Sequence, residues 1–236
     1  MNPFVRFFQG INFYFNGLGL LIRYPSLFTL ALIPVTLTVV VLLGLAWGSA
    51  WMIGRSLQRA QMIAAEGQVL IQALVFLLVL FVMYLVYLPL TRIFLAPFSD
   101  KISHKTSVLS GANSKATNEL GFYRAILEGA KLVGWQLVLV GIVLLLTIFL
   151  PPLGVPLGVF VTICFCGIDF LDVPLSMRGM SMRQKFGFLW RSRALVFGFA
   201  MAGYLLLHIP ILNLFVLPVG VIGATLLVNK VVSEAV

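Results

Sequence analysis

The chain has 236 residues, enough for one or two ordinary soluble domains, yet 61% are hydrophobic and only 10% charged, and the mean hydropathy is +1.09. Soluble domains carry roughly 45–50% apolar and about 25% charged residues, so a soluble globular class, a disordered chain and a disulfide scaffold are all excluded. The net charge of +9, from 16 Lys and Arg against 7 Asp and Glu, would suggest nucleic acid in a soluble protein. Here the basic residues fall between apolar runs, where orientation signals belong. The aromatics lie inside those runs and form no solvated stacking platform, so no nucleic-acid partner is expected.

Four stretches contain no Asp, Glu, Lys or Arg: 24–54, 67–91, 132–168 and 194–229. Together they make up more than half of the chain, which reads as an all-α integral membrane protein forming one membrane domain over 1–236. Residues 1–23 come first. Asn2, Arg6, Gln9, Asn12, Asn16, Gly19 and Arg23 recur every three or four positions. Phe4, Phe7, Phe8, Ile11, Phe15, Leu18 and Ile22 fill the rest of the wheel. That pattern predicts an amphipathic helix lying in the headgroup plane. Gly10 and Gly17 weaken it as an isolated helix, so it should pack on a neighbour.

A first transmembrane helix is expected over 27–53, with Pro34 in its early turns, and a second over 68–90. A cytoplasmic, amphipathic segment, 92–131, follows. The last two runs are interrupted by proline, 132–168 at Pro151, Pro152 and Pro156, and 194–229 at Pro210 and Pro218. They are read as two helical hairpins, 132–172 and 194–232, separated by a basic cytoplasmic segment, 173–193. The arms of the last hairpin measure about 16 and 14 residues, roughly 24 and 21 Å at 1.5 Å per residue. The hydrocarbon core is ~30 Å thick, so these hairpins are expected to penetrate the membrane only half-way; residues 132–150 come nearest to crossing it. On that path fourteen of the 16 Lys and Arg fall on one side and only Arg55 and Arg59 on the other. The positive-inside rule then places both termini in the cytoplasm of a multi-pass inner-membrane protein.

No catalytic constellation is present. His104 and His208 stand far apart, and Walker, zincin and nucleophile-elbow patterns are missing from the sequence. Cys164 and Cys166 form a C-x-C pair inside an apolar run, which suits two small buried thiols better than a metal site. Neither an enzyme, a cofactor nor a metal is expected.

Three features could carry function. Asp169 and Asp172 lie three residues apart on one helix face before Pro174, and Arg178, Arg183 and Lys185 follow. They form either an ion-pair latch at the interface or a gate. Val155-Pro156-Leu157-Gly158-Val159 and Leu217-Pro218-Val219-Gly220-Val221 resemble one another. Helices starting near Pro156 and Pro218 would aim amide hydrogens at an anion, with Asn213 as a cap or a solute contact. The basic stretch 174–193 also suits anionic membrane lipid.

Three further segments carry a family resemblance. They are Ala96-Pro97-Phe98-Ser99-Asp100-Lys101-Ile102, then Asp172-Val173-Pro174-Leu175, and finally Ile209-Pro210-Ile211-Leu212-Asn213-Leu214-Phe215-Val216-Leu217-Pro218 with Gly223-Ala224-Thr225. In this order they resemble the CysZ sulfate permeases and the related etoposide-induced membrane proteins. The resemblance implies two full transmembrane helices with half-penetrating hairpins, in a homo-oligomer. It implies sulfate uptake for cysteine synthesis through an anion channel or permease that hydrolyses no ATP. Members tend to read Pro-Gly-Ile/Leu-Arg-Arg on entering the first span, where the anion is thought to bind. This chain reads Pro25-Ser26-Leu27-Phe28-Thr29, which leaves Arg23, Ser26 and Thr29 as the local donors. The alternative is a non-transporting scaffold or lipid-interacting protein of the same fold.

Overall fold

Helix α1, Pro3–Arg23, starts as its sequence dictates. The Asn2 side chain accepts a hydrogen bond from the Phe4 amide at 3.1 Å, and Pro3 occupies the first turn, where its missing N–H costs nothing. The computed structural model describes residues 2–59, 73–79, 81, 94–95, 98–111 and 122–234. Most of the expected span 68–90 and much of 92–131 lie outside the described residues. Every regular element among the described residues is a helix. After α1 come α2 (Pro25–Arg59), α3 (98–109), α4 (Phe122–Phe149), α5 (Pro151–Ser176), α6 (Met182–Arg191), α7 (Arg193–Leu207) and α8 (Pro210–Ser233). The chain forms two compact units, one of Met1–Thr29 with Ser99–Val236 and one of Leu30–Phe98.

Within the second unit, α2 continues through Pro34. The Thr38 hydroxyl donates back to the Pro34 carbonyl at 2.8 Å, which satisfies it inside an apolar helix. Among the described residues, three helical stretches are long and apolar enough to cross a membrane: Pro25–Ser49, Pro151–Ser176 and Phe215–Ser233.

In the larger unit α1 shows three sectors. Gly10, Tyr14, Gly17 and Leu21 are buried. Phe4, Phe8, Phe15 and Ile22 are exposed although apolar, and the polar residues occupy the remaining face. The buried sector is a contact seam of glycines. A β-carbon on Gly17 would meet Gly223 N at 2.7 Å, and one on Gly223 would meet Phe13 O at 2.9 Å. On the other side, Gly10 abuts the Leu195 carbonyl, and Gly198 abuts the Phe7 carbonyl. Close backbone approach of this kind is how helices associate where water supplies no hydrophobic drive. The helix therefore does pack on neighbours, and its two glycines are where it does so.

These contacts fix direction. Phe7 of α1 meets 197 and 198 of α7 while Tyr14 meets 199 and 203, and Phe13 meets 223 and 230 of α8 while Gly17 meets 219 and 223; Phe28, in the first turn of α2, meets 215. So α1 runs with α7 and against α8, and its two ends belong to opposite ends of the bundle. At the centre Tyr14, Phe170 and Phe199 pack ring against ring, with centroids 5.4–6.2 Å apart. The Tyr14 hydroxyl donates to the Val216 carbonyl at 2.8 Å. Tyr14→Phe should lower stability by about 1 kcal/mol through loss of that buried bond, measurable by thermal unfolding in detergent.

Two helix starts differ from the sequence expectation. Pro156 and Pro218 lie inside α5 and α8, which begin at Pro151 and Pro210. A proline inside a helix forfeits one backbone hydrogen bond, whereas ending the helix in an apolar setting would orphan several. Consequently α5 has 26 residues and α8 has 24, so the arm after Pro210 is longer than expected, and of the hairpin arms α4, α5, α7 and α8 only α7, with 15 residues, stays short of ~30 Å. A single non-helical residue, Leu150, separates α4 from α5. They pack antiparallel where Gly154 lies against the Thr147 backbone and Gly158 against Val143.

Candidate functional site

The expected solute-contact residues Arg23, Ser26, Thr29 and Asn213 come to one end of the larger unit. Arg23 is the last residue of α1, Ser26 and Thr29 lie in the first turns of α2, and Asn213 lies in the first turn of α8. Phe28 stacks on Phe215, with centroids 6.0 Å apart and an interplanar angle of 18°, so those two first turns lie side by side. Arg23 and Ser26 are exposed there. Thr29 instead turns its hydroxyl back to the Pro25 carbonyl at 2.9 Å. His208 Nδ1 sits 2.9 Å from the Tyr204 carbonyl; a carbonyl only accepts, so this ring nitrogen donates. No acidic residue occurs in 23–29 or 204–216. The N-termini of α2 and α8 share this end with the C-termini of α1 and α7, so the helix dipoles largely offset one another and what favours negative charge there is the guanidinium and the local helix-start amides.

The opposite end holds the charged group seen in the sequence, with a different pairing. Asp172 Oδ1 is 2.7 Å from Lys185 Nζ, which also donates to Ser176 Oγ at 2.7 Å. Asp169 accepts from Gln136 Nε2 of α4 at 2.8 Å. Asp169 and Asp172 therefore face different partners. Arg178 does not join the carboxylates: Nη2 donates to Asn229 Oδ1 at 2.7 Å, tying the end of α5 to α8. Burial pulls its guanidinium below the ordinary arginine value. Arg183 is exposed on α6. The turn after α5 explains this division. Gly179, at φ +69°, reverses the chain, and Gln184 accepts from the Ser181 amide at 2.8 Å to start α6. From there Lys185, one turn into α6, looks back at α5 while Arg183 looks away.

Sequence reading missed a polar seam between α3 and α8. Ser103, Thr106 and Ser107 are buried on one face of α3. Thr225 donates to Ser103 at 2.9 Å, and Asn229 Nδ2 approaches Ser110 Oγ at 3.2 Å. The spacing of Ser99, Ser103, Thr106, Ser107 and Ser110, one helix face, was the available signal.

Long apolar helices, glycine-seam packing, proline-tolerant helices and charges held at the helix ends define an all-helical membrane protein. A family model described as sulfate transporter CysZ/etoposide-induced protein 2.4 matches residues 13–218. The chain belongs to that family of transporter-like membrane proteins.

Proposed function

We propose that the protein is an anion permease of the inner membrane, taking up sulfate for sulfur assimilation and cysteine synthesis without ATP hydrolysis, as a homo-oligomer. Family membership supports the class. The observation that carries the site is the meeting of Arg23, Ser26 and the first turns of α2 and α8 at one end of the larger unit, with no acidic residue in 23–29 or 204–216. The chemistry needed there is desolvation of a doubly charged oxyanion. A guanidinium fork and the unpaired amides of a helix start match the oxygens of such an anion and offset part of that penalty.

The other end supports an orientation. Arg6, Arg178, Arg183, Lys185, Arg191, Arg193 and Lys230 gather there through the α1–α7 and α5–α8 contacts. Under the positive-inside rule it faces the cytoplasm, with both termini. Arg23 then stands at the membrane-embedded or outer end of α1, where sulfate would arrive.

Labelled sulfate uptake into proteoliposomes tests the proposal. Uptake above that of empty liposomes is expected, and Arg23→Gln should reduce it by about tenfold, since a charge-assisted contact to the anion is lost. Flux indistinguishable from empty liposomes would reject transport. It would leave the second reading, a scaffold or lipid-interacting protein, which the exposed aromatic and basic face of α6 favours.

A further inference from the structure

We infer that the corner where α1 and α6 flank the first turns of α7 is a binding surface for anionic phospholipid headgroups, independent of whether the protein conducts an anion. The geometry starts with α6. Arg183, Phe186 and Trp190 fall at i, i+3 and i+7, one face of that helix. Lys185 is buried and held by Asp172 and Ser176. The clamp turns the opposite face outward, so Trp190 is 75% exposed and Phe186 39%. Its own positive charge is neutralised inside the fold, leaving the outer cations uncompensated.

The α6–α7 junction extends the surface. Ser192 is buried between Arg191 and Arg193, which are both exposed, and the Arg193 guanidinium lies 5.7 Å from the Trp190 ring centroid. One turn further along α7, Phe197 and Gly198 receive Phe7 of α1. That contact brings the first turns of α1 to the same corner, with Phe4 66% and Phe8 53% exposed and Arg6 beside them. Neither α1, α6 nor α7 contains an acidic residue.

A solvated basic face would not display four large aromatic rings among its arginines, because each exposed ring costs hydration free energy. Rings at the acyl boundary with guanidinium groups among the phosphates is the arrangement a bilayer surface selects. Charge complementarity makes the lipid anionic, because four arginines with no acidic neighbour on these helices gain little from a zwitterionic headgroup.

The test uses the full-length protein in detergent, titrated with phosphatidylglycerol or phosphatidylcholine, with retained lipids and subunit number read by native mass spectrometry. The native chain should retain phosphatidylglycerol at about tenfold lower concentration than phosphatidylcholine. R183Q/R191Q/R193Q should lose that preference, and Arg55→Gln, in the other unit, should keep it. Circular dichroism checks that the triple variant is helical. Should it fail to fold, salt gives the second measurement: the native preference must shrink as ionic strength rises. Equal retention of the two lipids, a salt-insensitive preference, or an unchanged preference in a folded triple variant would overturn the inference. A triple variant that changes subunit number while keeping the preference would assign this face to a second copy, and would overturn it too.

Discussion

Alanine at Gly17 or Gly198 should destabilise the protein by about 1–3 kcal/mol, with the upper end or beyond at Gly198. Alanine at Gly19 should leave stability unchanged or raise it by up to ~1 kcal/mol. All three glycines lie in helices and differ by one methyl group, so the contrast isolates what surrounds them. A β-carbon at Gly17 meets Gly223 N at 2.7 Å and Cα at 2.9 Å, and one at Gly198 lands on the Phe7 carbonyl; at Gly19 nothing lies within 4 Å. The obstructing atoms are backbone, which cannot rotate aside as a flexible side chain would. The helices must therefore separate along the seam, and every contact there weakens at once. Because Gly17 faces Gly223, the double variant Gly17→Ala with Gly223→Ala should cost less than the sum of its parts, the first separation having made room for the second. Thermal unfolding in one detergent, with Gly19→Ala alongside, decides the matter. Equal losses at Gly17 and Gly19 would show that helix propensity, and not interhelical contact, governs α1.

The membrane class and the family were legible in the sequence because both rest on one-dimensional signals. Charge-free runs fix apolar helices whatever their neighbours do, and Gly10 and Gly17, which share one face of α1, signalled a packed helix, whereas Gly19 on another face meets nothing within 4 Å. The prolines misled for a physical reason. Pro156 and Pro218 look like breaks, yet in an apolar setting the chain gives up one hydrogen bond at each and keeps the helix. Pro151 and Pro210 do mark true starts, and only the non-helical residues before them, Leu150 and Ile209, distinguish the two cases. The direction of α1 along α7 and α8 was not legible either. An amphipathic pattern reports which residues share a face, but not whether the axis lies across or along its neighbours. For that reason the positive-inside count puts Arg6 and Arg23 on one side, although they stand at opposite ends of α1. The partner of Asp172 needed three dimensions as well. Arg178, Arg183 and Lys185 are equivalent candidates by spacing, and the reversal at Gly179 makes Lys185 the one that returns.

That pair sets the second large effect. Asp172→Asn should cost about 2–3 kcal/mol, less than the 3–5 kcal/mol of a fully buried pair, because the Asp172 side chain is 32% exposed while that of Lys185 is 8% exposed. The asymmetry matters: removing the carboxylate strands the more buried partner, so Asp172→Asn should hurt more than Lys185→Met, whose orphaned carboxylate can still reach water. If the pair is a latch between α5 and α6, the double replacement Asp172→Leu with Lys185→Met removes both charges, leaves no buried ion, and should recover most of the lost stability. Sulfate flux per folded molecule should then be unaltered in the double variant. A gate would behave otherwise, with flux or anion selectivity changing in the double variant although its unfolding temperature had returned. Measuring unfolding and flux on the same preparations separates the two. The geometry sides with the latch: Lys185 makes two 2.7 Å bonds, both to α5, which is what holding α6 in place requires. A gating cation would instead have to release one of them to meet a passing anion.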